Sequence, residues 1–368
     1  MIQGHGGNIY AAARDLNCRP DEIVDMSSNI NPLGMPPGLL KHLQMRLGGA
    51  GVLPEADGRR SIRQMARLLD VDAYRMLAGN GTTQFIYNVC QALDSRNVLI
   101  VGPTYADYAD ACRMHRVTHN YFLANADSRF TVDLDRLALS LDGTDTVFIC
   151  NPNNPTGYRM PYDELVRLCR SHPKIQFVID ESYMPFASEG QTRRLVDSDL
   201  QNVSVLWSLS KIFGVPGLRA GFLIANGTVI SRFQRYMQPW SMNSLAQAAV
   251  DYLCGHKASV TSFIETTRRF LQKERQRFCD ELAVRSAMTV YPSCTSYILL
   301  KLPAGVSAQG ICRQMLQNRI LIRDCGNFHG LSDRFVRVSI KHPTQNRLAV
   351  DCLAKIVSAP VGCNRIGK

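Results

Sequence analysis

Val203-Ser204-Val205-Leu206-Trp207-Ser208-Leu209-Ser210-Lys211 is a short apolar run, rich in branched side chains, that stops at two hydroxyls and a lysine. Pro216-Gly217-Leu218-Arg219-Ala220-Gly221 then turns the chain into the next apolar run, 221–225. Stretches 97–101 (NVLIV), 145–150 (DTVFIC) and 175–180 (IQFVID) have the same texture. Short continuous apolar runs of this kind suit strands buried on both faces of a mostly parallel sheet. Between them lie amphipathic stretches such as 83–93 and 161–170. Strands alternating with helices predict an α/β fold with a mostly parallel central sheet and helices on both faces. Such folds build their sites at strand ends.

Working outward, 243–254 and 260–285 read as helices, followed by strand candidates 296–301, 320–323 and 335–340. These predict a smaller α+β domain. With 368 residues the chain is too long for one small core. The expected division is an N-terminal segment, 1–40, that covers the cleft and packs on the small domain. A large domain at 41–240, a small one at 241–360 and a tail at 361–368 complete it. The first 40 residues are rich in Gly, Pro and Asn and cannot form a core alone.

Composition excludes several classes. Apolar residues make up 45% and charged ones 20%, the balance of a globular enzyme rather than a disordered or fibrous chain. No apolar run reaches the ~18 residues that span a bilayer, so no membrane role is expected. The start, Met1-Ile2-Gln3-Gly4-His5-Gly6-Gly7, has neither a basic nor an apolar leader region, and the expected location is the cytoplasm. The twelve cysteines contain no C-x-x-C, and the closest two, Cys352 and Cys363, are 11 apart, which reads as reduced thiols. His115 and His119 are spaced to share a helix face, but no carboxylate motif accompanies them, so no metal is expected. The net charge of +11 is scattered without a basic run of five, which points to anionic small molecules rather than nucleic acid.

The chemistry concentrates at four strand ends. A lysine at the mouth of an apolar strand, as Lys211 is, loses its proton more readily than an exposed one, and a neutral amine forms a Schiff base with an aldehyde. Asp180 ends the run 175–180, where a buried carboxylate needs a cationic or hydrogen-bonding partner. Asn151-Pro152-Asn153-Asn154-Pro155-Thr156-Gly157 is a turn that also places an amide at the cleft. Gly79-Asn80-Gly81-Thr82-Thr83 follows a strand candidate, 74–78, and opens a helix whose free N–H groups suit an anion. Each feature alone reads more simply as a surface lysine, a structural ion pair or an ordinary turn. Their order in one chain points to a site.

With these motifs the chain resembles the fold-type I pyridoxal-phosphate (PLP) enzymes, in the branch of the histidinol-phosphate aminotransferases, over nearly its whole length. The resemblance implies that Lys211 carries the cofactor as a Schiff base and that Asp180 pairs with its ring nitrogen. Asn154 and Tyr183 are implied beside the ring hydroxyl. Gly81, Thr82, Ser208, Ser210 and Arg219 are implied to form the phosphate cup, and Tyr108, in Pro103-Thr104-Tyr105-Ala106-Asp107-Tyr108, to stack on the ring.

A narrower resemblance, to the L-threonine-O-3-phosphate decarboxylase family of cobalamin synthesis, rests on four further stretches. They are His5-Gly6-Gly7-Asn8-Ile9, Ser27-Ser28-Asn29-Ile30-Asn31-Pro32-Leu33-Gly34, Gln238-Pro239-Trp240-Ser241-Met242-Asn243 and Ile322-Arg323-Asp324-Cys325-Gly326-Asn327-Phe328. It implies that His5, Gly6, Asn29, Asn154, Arg323 and Arg337 hold a small phosphorylated amino acid, and that the protein works as a homodimer. Two anionic groups on one substrate call for forked cationic donors, which Arg323 and Arg337 supply in either order. An aminotransferase of histidinol phosphate, a decarboxylase of serine phosphate and a non-catalytic PLP-binding regulator are the alternatives. The chain also departs from the pattern. Leu53, in Leu53-Pro54-Glu55, stands where related aminotransferases have a tyrosine that reaches the neighbouring subunit's cofactor, and Ser182-Tyr183 replaces the expected Ala-Phe or Ala-Tyr.

Overall fold

In the computed structural model, which describes residues 6–187 and 193–358, the apolar runs pair into one seven-stranded sheet. Its strands are β1 (Met76–Asn80), β2 (Asn97–Gly102), β3 (Thr118–Leu123), β4 (Thr146–Cys150), β5 (Gln176–Asp180), β6 (Val203–Ser208) and β7 (Ala220–Ile224). They lie in the order β1-β7-β6-β5-β4-β2-β3. All run parallel except β7, which is antiparallel to both β1 and β6. The reversal matters for the site. The C-terminal ends of β1, β4, β5 and β6 and the start of β7 share one edge of the sheet, so Gly81, Asn154, Asp180, Lys211 and Arg219 converge there.

Strands β4, β6 and β7 are buried along their whole length. Each fully buried Val, Ile, Leu or Phe stabilises the fold by roughly 1.5–3 kcal/mol. Two boundaries differ from the sequence expectation. Residues 73–75 form a short 3-10 turn, so β1 begins at Met76 and carries Gly79 and Asn80, and the following helix starts at Gly81. The edge strand β3 went unpredicted because its residues, THNYFL, are polar and only half buried.

The long helix Lys257–Arg285 buries Val260, Phe263, Thr267, Leu271, Glu274, Phe278 and Leu282. That spacing of three and four places them on one face. Beyond it, Arg323–Asp324, Phe335–Ser339, Tyr297–Lys301 and Thr289–Val290 form a four-stranded antiparallel sheet in that order. The expected strand 320–323 is divided. Ile320–Leu321 instead pairs in parallel with Val24–Asp25 of the N-terminal segment, and only Arg323 and Asp324 join the larger sheet.

The N-terminal segment ties the two parts together. Helix Ile9–Leu16 is capped by Asn8, and its Ala12 and Ala13 pack with Ile23 against Leu316 and Leu321. Further along, Asn31 donates to the Ile212 carbonyl (2.7 Å) and to Thr267 Oγ1 (2.9 Å), and the Asn31 N–H donates to the Lys211 carbonyl (3.0 Å). The turn carrying the lysine is thus clamped from above. His5 and the tail 361–368 lie outside the described residues.

Candidate active site

Two adjoining cavities open at the shared sheet edge. The inner one, 100 Å³, is lined by Gly81, Thr82, Tyr108, Asp180, Ser182, Ser208, Ser210 and Arg219. The outer one, 170 Å³, is lined by Gly6, Ser27, Ser28, Asn29, Asn327, Arg323 and Arg337. Tyr105, Asn154, Tyr183 and Lys211 face both. A larger cavity of 590 Å³ lies elsewhere, between helix Arg59–Leu69 and β1, and holds none of these groups.

The inner cavity pairs a carboxylate with an amine. Burial pushes the Asp180 carboxyl up from its ordinary range, while bonds from the Ser182 N–H (3.0 Å) and the Tyr108 hydroxyl (2.9 Å) favour the charged form. Lys211 is drawn down to about 8, first by burial and then by the positive Arg337 and Arg219, with Asp180 and Asp107 opposing. A buried amine near neutrality is a nucleophile toward carbonyl carbon.

An anion cup lies beside them. Gly81 has φ +71°, and a Cβ there would sit 2.5 Å from Arg219 Nη2. A Cβ on Gly221 would sit 2.4 Å from the Thr82 nitrogen. Two glycines therefore let the helix N-terminus, the start of β7 and a guanidinium crowd together, which is how backbone N–H groups are aimed at a phosphate. Ser208 and Ser210 face the same space, with the Ser210 N–H bonded to Ser208 Oγ (3.2 Å).

The turn 151–157 divides its labour. Asn153 holds the turn, accepting from Thr104 Oγ1 (2.7 Å) and donating to the Pro103 carbonyl (2.9 Å) and to Thr156 Oγ1 (2.9 Å). Asn154 is left to face the cleft, where its Oδ1 accepts from Arg337 Nη1. Arg337 Nη2 donates to the Ser27 carbonyl (2.6 Å), and the buried Nε has no partner. Arg323 donates to Asn327 Oδ1 (2.6 Å), and its guanidinium lies 5.2 Å from the Phe328 ring centre. Ser27 and Ser28 are organised by Asp25, whose Oδ1 accepts from both backbone nitrogens and from Ser27 Oγ. Gly6 fits only as glycine, since a Cβ would meet the Ser27 oxygen at 2.5 Å.

The geometry gives one expected site residue a further task. The Tyr108 ring lies parallel to Phe148 at 4.9 Å, fully buried, and its hydroxyl is spent on Asp180. That bond fixes the carboxylate, and Tyr108 also lines the inner cavity. Tyr105, three residues earlier, faces both cavities, as Tyr183 does. The same six-residue stretch holds both tyrosines, and a three-residue offset is not decided by spacing alone. Asn31, Asp25 and Asn327 also escaped the sequence reading, because their work is to hold other site residues. His115 and His119 do not share a helix: the first ends helix Asp107–Met114 and the second lies in β3.

Residues 21–352 match the family described as aminotransferase class I and II. The chain belongs to that family. Its fold is therefore fold-type I, and the family uses PLP. Threonine-phosphate decarboxylase of Salmonella typhimurium is 34% identical over 364 residues, 96% of each chain. The solved L-threonine-O-3-phosphate decarboxylase of Porphyromonas gingivalis is 32% identical with a TM-score of 0.82, covering 92% of this chain and 100% of that one. The adenosylcobalamin biosynthesis bifunctional protein CobDQ of Leptospira interrogans is 25% identical over 96% of this chain and 41% of its own length.

The donor set fits the family's cofactor. An amine of low pKa suits an aldehyde, and a buried carboxylate suits a protonated ring nitrogen. The glycine-lined cup suits a phosphate, and Ser182 lines the same cavity.

Proposed function

We propose that the protein decarboxylates L-threonine O-3-phosphate to (R)-1-amino-2-propanol O-2-phosphate, with PLP as cofactor, for cobalamin biosynthesis. The observation that carries this reading is the pair Arg323 and Arg337, two guanidiniums bonded only to neutral groups among the described residues, beside Lys211. A substrate with one phosphate and one carboxylate satisfies both.

When bound, PLP supplies an aldehyde that joins amines and a ring that takes up the electron pair released at Cα. The chain does the rest. Gly81, Thr82, Ser208, Ser210 and Arg219 would hold the cofactor phosphate, Asp180 would keep the ring nitrogen protonated, and Tyr105 would lie against the ring. Arg337 bears on Lys211 electrostatically and bonds Asn154, so it takes the carboxylate. Arg323, half-buried beside Asn327, takes the substrate phosphate. With PLP bound to supply the electron sink, the two arginines would orient the substrate, and their hold on its two anionic groups would select the bond to the carboxylate for cleavage. Lys211 Nζ, titrating near 8, then holds the proton that Cα receives. Gly6, Ser27 and Ser28 line the outer cavity, where the substrate phosphate would lie.

Exposed apolar side chains at Leu40, Met45, Leu47, Val52, Leu53 and Trp240 support a homodimer that covers them. Leu53 is 74% exposed and has no polar group to offer a neighbouring cofactor. The unbridged thiols among the described residues support a reducing compartment such as the cytoplasm. No helix among the described residues is long and apolar enough to cross a membrane.

Release of CO₂ from L-threonine O-3-phosphate without a keto acid tests the proposal. Turnover only with pyruvate or 2-oxoglutarate would replace it with an aminotransferase. Faster release from serine phosphate would change the substrate.

A further inference from the structure

Tyr183 lies at the junction of the two cavities, with its ring edge-on to Tyr297 at 5.1 Å. Its hydroxyl oxygen accepts from Asn29 Nδ2 at 3.1 Å. The other end of the same amide, Oδ1, accepts from Ser339 Oγ at 3.0 Å. Ser339 sits two residues after Arg337 on the strand Phe335–Ser339 and is wholly buried. Three side chains from three separate parts of the chain thus form one line into the cleft.

The direction of that line follows from burial. With Ser339 donating to Asn29 and Asn29 to Tyr183, the buried Ser339 proton has an acceptor, and the Tyr183 proton is left to face the cavities. Turning the amide round would let Tyr183 donate to Asn29, but it would leave the Ser339 proton without an acceptor among the described residues, at zero exposure. A buried hydroxyl left unpaired costs about 1–3 kcal/mol. An open hydroxyl at the cavity costs nothing comparable, because a ligand or water meets it there.

We propose that Ser339 and Asn29 are positioning residues that hold Tyr183 as an obligate hydrogen-bond donor toward the ring oxygen of the cofactor. The inference rests on the PLP reading above and adds to it a chain that starts on the strand bearing Arg337. Tyr183 alone touches the cofactor. Ser339 acts by fixing the sense of the amide, and the amide acts by occupying the oxygen of Tyr183 so that its proton points outward.

The test is a spectral pH titration of the holoenzyme. A donor beside the ring oxygen stabilises its anionic form, so the proton shared between that oxygen and the lysine nitrogen leaves at lower pH. Tyr183→Phe is expected to raise the midpoint of the bound cofactor's visible absorbance by about one pH unit, the size of one hydrogen bond to a charged oxygen. Ser339→Ala is expected to raise it by about half as much, with the melting temperature recorded alongside. The double variant is expected to match Tyr183→Phe alone, since both changes act through one proton. Additive shifts, or a Ser339→Ala protein that melts earlier with an unmoved midpoint, would overturn the proposal. A wild-type protein that takes up no PLP would overturn the cofactor reading as well, a result distinct from either.

Discussion

Arg323 and Arg337 stand directly opposite each other on neighbouring antiparallel strands. Like charges at such paired positions destabilise a sheet, and the nearby Arg337 adds to the burial that lowers the pKa of Arg323. A fold keeps this arrangement when an anion relieves it. Arg323→Ala is therefore expected to leave the melting temperature of the ligand-free protein unchanged or higher. It is expected to raise the KM for threonine phosphate by roughly 10- to 100-fold, the worth of one charged hydrogen bond. Differential scanning with and without inorganic phosphate checks the first half: wild-type protein gains stability from phosphate, and the variant gains little.

Lys211 titrates near 8 rather than 10.5. Between those values the unfolded chain holds a proton that the folded one lacks, so the apoprotein gains stability as pH rises through that window and loses it again on the way down. The same shift governs reactivity. The rate at which apoprotein takes up PLP is expected to rise with pH, bend near 8 and level off above, followed by stopped-flow absorbance. A bend near 10.5 would mean an ordinary exposed amine. Lys211→Ala is expected to lose the visible absorbance and turnover together.

Asp180 has the opposite sign. Its folded pKa lies above 3.8, so the native state holds a proton that the unfolded chain has lost, and apoprotein stability falls as pH rises through the gap. Above it the buried charge remains a cost until a cationic ring nitrogen arrives. Asp180→Asn is expected to raise the apoprotein's melting temperature at pH 7.5, shrink the gain on adding PLP, and lower kcat by roughly 10²–10³-fold. Tyr108→Phe, which removes a bond to that carboxylate, is expected to lower kcat by less than Asp180→Asn does, and to lower the apoprotein's melting temperature, because the buried charge stays while a bond that stabilises it is lost.

How much of this was legible beforehand depended on whether a residue acts through its own backbone position. Asp180 ends an apolar strand, Lys211 and Asn154 follow the ends of two others, and an apolar run that stops at polar residues is visible in sequence. Arg323 and Arg337 fell on recognisable strand candidates, yet their direct opposition required the register, which comes from contacts distant in sequence. Tyr105 and Tyr108 share a motif, and only the bond from Tyr108 to Asp180 separates their tasks. β3 escaped because a half-exposed edge strand lacks the continuous apolar signal of its neighbours. Asn31 escaped because it works on the Lys211 turn 180 residues away, through bonds no local pattern announces.

Gly81 offers a test of the anion cup that leaves the chemistry untouched. Its φ of +71° is one that a side chain adopts only with strain, and a Cβ would press within 2.5 Å of Arg219 Nη2. The guanidinium sits at the end of a flexible side chain, so it can retreat, but retreat takes it off its Thr83 contact at 3.5 Å and away from the helix N-terminus. Gly81→Ala is thus expected to cost about 1–2 kcal/mol of stability and to weaken PLP binding at least tenfold by equilibrium dialysis. The Lys211 bend is expected to remain well below 10.5, because burial is its first cause and the retreat of Arg219 relieves only a lesser one. A variant that binds PLP as tightly as wild type would mean that the phosphate sits somewhere other than between Gly81 and Arg219.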